Sequence, residues 1–97
     1  MRVIARELLD DFAKRHADAR GPLLAWLREV EQEDWDSPIK VRDRYPRASI
    51  VGKDRVVFRI KGNAYRLVAR INYPHRVVVI RFVGTHAAYD RIDAKEV

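Results

Sequence analysis

From Ser49 onward the apolar residues recur at every second position, and this change of period limits the fold more than any other feature. "RVVFRIK" (55–61), "AYRLVARINY" (64–73) and "RVVVIRFVG" (76–84) are rich in Val, Ile, Phe and Tyr, the residue types that suit a pleated, half-buried surface. Gly62-Asn63 is a hairpin signal between the first two runs, and Pro74-His75 parts the second from the third. Strands joined by turns this short pair antiparallel, because a parallel neighbour needs a long crossover.

The turns set a register. With Gly62-Asn63 at the centre of the first, Ile60 faces Tyr65, Phe58 faces Leu67 and Val56 faces Ala69. With Pro74-His75 at the centre of the second, Ile71 faces Val78, Ala69 faces Ile80 and Leu67 faces Phe82. All of these residues fall on one side, which needs covering. The same register puts Arg59 opposite Arg66, Arg55 opposite Arg70 and Arg81 opposite Val68 on the other side, with Lys61 at the mouth of the first turn and Val57, Val68, Val79 and Val83 between the cations. Like charges directly opposite one another destabilise a sheet. A phosphate backbone would relieve that repulsion, and the planar guanidinium fork suits phosphate oxygens.

Ahead of the strands the period is helical. Residues 2–5 are a short strand or the lead-in to a helix. "RELLDDFAKRH" carries Leu8, Leu9, Phe12, Ala13 and His16 on one stripe. "ADARGP" interrupts it, and Pro22 suits the first position of a second helix. There Leu23, Trp26, Leu27 and Val30 share a face, with Arg28, Glu29, Glu31 and Glu33 largely opposite. In the polar connection that follows, Ser37-Pro38 can start one helical turn, and Trp35 and Tyr45 are the expected anchors to the core. With 97 residues and no linker, repeat or low-complexity segment, the expectation is a single domain over 1–97. Its class is α+β: an N-terminal helical hairpin, residues 1–34, packed on one face of an antiparallel sheet.

Charge narrows the function. Residues 1–52 carry ten Lys/Arg and ten Asp/Glu, whereas residues 53–91 carry nine Lys/Arg and two Asp. The whole positive excess lies in the strand segment, so a polyanion is the expected partner, nucleic acid first. The chain has no cysteine, hence no disulfide framework and no thiolate metal site, which fits a reducing cytoplasm. No run of about 18 apolar residues spans a membrane. The first twenty residues have acids in their first turns and no apolar stretch of the signal-peptide kind.

"RFVGTHAAYD" (81–90) adds chemistry to the charge. Gly84 can release the chain from the sheet, and Thr85 is a plausible N-cap for a turn or two of helix. His86, Tyr89 and Asp90 then stand at i, i+3 and i+4 on one side of it. RNA cleavage needs a base for the 2′-OH, cations for the phosphorane-like transition state and an acid for the leaving 5′-oxygen. His86 can serve as base or acid near neutrality. Tyr89 can donate a proton or stack on a base, and Asp90 can orient His86 or Arg81. The scheme needs no metal and no cofactor, and the sequence contains no HExxH or Cys/His cluster. His16 at a helix end and His75 in a turn read as structural and solvated residues, and Asn63 as a turn residue.

The run "IKGNAYRLVARINYPHRVVVIRFVGTHAAYDRID", with "DWDSP" and "YPRASIVGKDRVVF" upstream, resembles the HigB family of toxins from type II toxin–antitoxin modules. The resemblance covers roughly residues 34–93. It implies a RelE-like fold, ribosome-dependent cleavage of mRNA, and a HigA-type antitoxin with a helix-turn-helix domain as partner. By position it points to Lys61, Asn63, Tyr65, Arg66, Arg81, His86, Tyr89 and Asp90. Members often carry asparagine where this chain has Arg59, which makes Arg59 a contributor to affinity rather than to catalysis. The register puts Tyr65 on the core side, away from any chemistry. The expected catalytic set is therefore His86, Tyr89, Arg66, Arg81, Lys61 and Asp90, with Arg55, Arg59 and Arg70 on RNA backbone. The alternatives are a non-catalytic RNA- or ribosome-binding module using the same face, and a domain whose basic face holds an acidic protein segment.

Overall fold

The apolar stripes form helices whose ends follow local chemistry. In the computed structural model, which describes residues 1–97, α1 spans Glu7–Arg15 and buries Leu9, Phe12 and Ala13. Glu7 and Asp10 lie in its first turn and Lys14 and Arg15 in its last, an order that complements the helix dipole. A 3-10 turn, Ala17–Ala19, leads into α2, Arg20–Glu31, which buries Leu23, Trp26, Leu27 and Val30. These are the four residues its periodicity singles out. Pro22 is not the first residue of α2, which begins two residues earlier at Arg20. Proline fits there because amides of the first turn have no intrahelical acceptor. Helix α3, Pro38–Arg44, starts behind Ser37 but runs for seven residues rather than one turn. Trp35 stacks on Phe58 and meets the edge of Tyr45, whose hydroxyl donates to Glu29 at 2.5 Å. Trp35 is buried, and a buried side chain of this kind contributes about 1.5–3 kcal/mol by leaving water, enough to anchor the polar connection.

Five strands form one sheet in the order β1-β5-β4-β3-β2: β1 Arg2–Ile4, β2 Ser49–Val51, β3 Arg55–Ile60, β4 Tyr65–Asn72 and β5 Val77–Thr85. The sheet is mixed rather than wholly antiparallel, because β1 runs parallel to β5 with Val3 opposite Val78. Three residues carry too little periodicity to separate a strand from a helix lead-in; the partner strand decides. The result is an α+β fold consistent with the RelE-like class. A core of twenty buried residues joins α1 and α2 to one sheet face, with Val56, Phe58, Leu67, Ala69, Ile71 and Ile80 among its sheet members.

The β3–β4 ladder has the expected register throughout, including Arg59 opposite Arg66 and Arg55 opposite Arg70. The β4–β5 ladder keeps it at Ile71–Val78 and Ala69–Ile80, then shifts. Val68 faces Phe82, not Arg81, and Leu67 faces Val83, not Phe82, so Arg81 is the extra residue of a bulge. One inserted residue exchanges the faces of everything that follows. Val83 accordingly packs against the main core, and Phe82 packs against Val57 and Val68 on the opposite face. That position of Phe82 explains Gly84: a Cβ there would lie 2.4 Å from Phe82 Cζ. Gly84→Ala is therefore expected to displace the ring and cost about 1–3 kcal/mol, read as a lower urea midpoint at unchanged slope.

The basic face is not open along its whole length, contrary to the expectation from register alone. Beyond α4, His86–Tyr89, the chain folds back across it. Ala94 is buried against Val57 and Val68, with Tyr89, Ile92 and Val97 packed around them. The main-chain oxygen of Val97 accepts hydrogen bonds from Arg55 Nε at 3.1 Å and Arg81 Nε at 3.4 Å. The valines between the cations nucleate this second, smaller apolar cluster. Arg59, nearer the β3–β4 turn, stays exposed. No helix is long and apolar enough to cross a membrane.

Candidate active site

Two pairs of arginines face each other across β3 and β4, and their surroundings differ. Asp54 accepts from Arg55 Nη1 at 2.6 Å and from Arg70 Nε at 2.9 Å. One carboxylate thus sits between the Arg55–Arg70 pair. Arg59 and Arg66 have no such partner. The Arg66 guanidinium is held only by neutral oxygens: Asn63 Oδ1 at 2.7 Å, Asn63 O at 3.0 Å and Tyr65 O at 3.3 Å. Arg66 is 6% exposed, the one charged residue in the buried set. Its burial, then the neighbouring Arg59 charge and, more weakly, that of Arg47, pull its pKa below the usual arginine value. A buried cation without a counter-ion is costly to maintain, and its hydrogen bonds fix the guanidinium in one orientation.

Tyr89 and Asp90 supply the nearest opposing influence on Arg66. The Arg66 Cζ lies 6.0 Å from the Tyr89 ring centroid, within the range of a cation–π contact. Tyr89 comes from α4, which begins where the sequence expects it: Thr85 Oγ1 accepts from the Ala88 amide at 3.1 Å as the N-cap. On that turn His86 Nδ1 and Asp90 Oδ2 are 3.2 Å apart. A carboxylate on Nδ1 selects the tautomer and leaves Nε2 for other chemistry. Both side chains are more than half exposed, so the pair faces solvent beside a fixed guanidinium.

The remaining expected site residues lie elsewhere. Lys61 Nζ pairs with Asp18 Oδ2 at 2.6 Å, and the Tyr65 hydroxyl donates to Asp18 Oδ1 at 2.6 Å. Asp18 thus ties the β3–β4 turn, in which Lys61 and Gly62 have positive φ, to the helical layer. The Asp18 bond raises the Tyr65 pKa, and the Tyr65 ring is buried edge-on to Phe12 at 5.2 Å. Arg81 and Arg55 meet Val97 O, and the Arg55 side chain is only 13% exposed against 57% for Arg70. His16 stacks on Phe12 at 4.4 Å, and His75 is exposed in the β4–β5 turn. No three His, Asp or Glu side chains converge as a metal site would require.

The Lys61 bond to Asp18, followed by the Tyr65 bond, holds the Asp18 carboxyl below its ordinary value of 3.8. A depressed carboxyl adds stability that is present above the unfolded value and is lost as pH falls through the folded one. Wild-type Tm should therefore drop on acidification below the ordinary value of 3.8, and Asp18→Asn should flatten that part of the profile.

Sequence pattern alone does not point to two residues near the site. Asp54 was legible only as one of two acids in a basic segment; the hairpin brings Arg70 to it. Arg47 lies in the irregular connection, and only the fold carries it near Arg66.

Helices on one face of a mixed sheet, with a basic opposite face, are consistent with a small RelE-like protein. The profile of the HigB toxin family, described as the RelE-like toxic component of a toxin–antitoxin system, matches residues 19–92, and the chain belongs to that family. A curated relative, the mRNA interferase HigB of Escherichia coli O6:H1, is 22% identical over an alignment of 99 residues covering 95% of this chain and 91% of the relative.

Proposed function

We propose that the protein is an endoribonuclease that cleaves mRNA on the ribosome by attack of a 2′-oxygen on the adjacent phosphorus. The bond from phosphorus to the 5′-oxygen breaks, leaving a 2′,3′-cyclic phosphate and a 5′-hydroxyl. One proton leaves the 2′-OH for a base, and one reaches the departing 5′-oxygen from an acid. His86, oriented by Asp90, is the leading proton-transfer group, and Tyr89 is the second donor or a stacking surface. Arg66 stabilises the charge that builds on the phosphorane. Arg81 and Lys61 would have to leave Val97 O and Asp18 to join it. Arg59 and Arg70 are exposed and suited to RNA backbone, and Arg55 reaches it only if the C-terminal segment moves. A helix-turn-helix antitoxin is the proposed protein partner, and the cytoplasm the proposed site of action.

The observation that carries this reading is the un-neutralised Arg66, fixed beside Tyr89 on the helical turn that bears the His86–Asp90 pair. The name of the E. coli relative supports it. Induced expression with mapping of mRNA 5′ ends tests it. New ends, dependent on ribosome transit and lost in His86→Ala, are the expected result. RNA binding without any new ends would instead establish the non-catalytic binding module.

A further inference from the structure

Strand β2 pairs with β3 only from Ser49, opposite Val57, onward. Before that the chain swings away, and a cleft of about 240 Å³ opens beside the Phe58–Arg59 edge of β3. It is smaller than the roughly 300–1,000 Å³ of sites for drug-sized ligands, and suits one unit of a polymer. Tyr45, Pro46, Ala48 and Phe58 give it an apolar wall, and Arg47 and Arg59 its charge. Arg44 also lines it but is already neutralised by Glu29 at 3.1 Å and Glu33 at 3.3 Å. Arg47 and Arg59 are exposed and form no ion pair.

We propose that this cleft holds the nucleotide adjoining the scissile phosphate, with Arg47 and Arg59 gripping its phosphate and the apolar wall receiving its base. The inference rests on the ribonuclease reading above and extends it to a second subsite. Arg59 stands directly opposite Arg66 across the ladder, and both Arg59 and Arg47 are close enough to depress its pKa. Three guanidiniums thus lead from the cleft to the proposed reaction centre, as a strand with one charge per nucleotide requires. Apolar surface beside cations is how single-stranded RNA is held without sequence readout. An acidic peptide would meet the cations but has no planar base for that wall.

The test uses the full chain as wild type, Arg47→Ala, Arg59→Ala and the double variant, with Arg28→Ala on α2 as a control for plain loss of charge. Cleavage of a defined mRNA on programmed ribosomes gives kcat and KM. Binding of a short single-stranded RNA is followed against salt. Each single replacement should raise KM about 10-fold and the double about 100-fold, with kcat within about threefold. The slope of log affinity against log salt should shrink by about one per arginine, and Arg28→Ala should match wild type. A double variant with wild-type KM and salt slope overturns the subsite while leaving the ribonuclease reading intact. So does one that keeps RNA affinity but loses the antitoxin, which assigns the cleft to that protein. A wild type that neither binds nor cleaves RNA overturns both readings.

Discussion

Arg66→Met should abolish cleavage while leaving the protein at least as stable as wild type. The two effects share one cause. Arg66 is a buried cation with no carboxylate partner, directly opposite a second arginine. Replacing it with an unbranched apolar side chain removes a like-charge cross-strand pair and a desolvated charge. The oxygens it leaves belong partly to Asn63, which is exposed and can hydrate. The net change in urea-derived stability should be zero or a gain of about 1 kcal/mol, the low end of what apolar replacement of buried ionic groups yields. Loss of a preorganised donor on a developing oxyanion costs about 10²–10³ in rate, so cleavage should fall at least that far. Arg66→Lys keeps the charge but loses the fork and should recover only part of the activity. A destabilised Arg66→Met protein that still cleaves would sink both the electrostatic account and the assigned role.

His86→Ala should lower kcat by about 10²–10⁴, the usual worth of a positioned general acid or base, with RNA affinity unchanged. The side chain is half exposed and its one ion pair is with the exposed Asp90, so stability should stay within about 0.5 kcal/mol of wild type. Asp90→Asn keeps a hydrogen-bond acceptor for His86 Nδ1 but loses the charge, and should cost less than His86→Ala. If Asp90→Asn proves equal to His86→Ala, Asp90 touches the substrate itself. If both variants cleave normally, proton transfer belongs to Tyr89, and Tyr89→Phe should then carry the loss.

The candidate site was legible in pieces. The spacing of His86 and Asp90 and the cap at Thr85 are properties of one helical turn, local enough to read from ten residues. Arg59 opposite Arg66 follows from a short turn and strict alternation, and β3 and β4 have that register pair by pair. Lys61 looked like part of the same cluster because it precedes the turn, yet its ammonium goes to Asp18, far away in sequence. Arg55 and Arg59 look alike as a sequence pattern, but one lies under the C-terminal segment and the other in the open.

Periodicity and turn chemistry by themselves determined the helical layer, the β3–β4 ladder and the segregation of apolar from cationic side chains, because each is set by neighbours within a few residues. Tertiary structure alone decided the parallel pairing of β1, the bulge at Arg81, the placing of Asp54 between two arginines, and the C-terminal segment that packs on part of the basic face. Each of these depends on contacts between distant stretches, whose free energies no local pattern encodes. Which arginine is left without a counter-charge, and so is free to meet a phosphate, is an outcome of that packing.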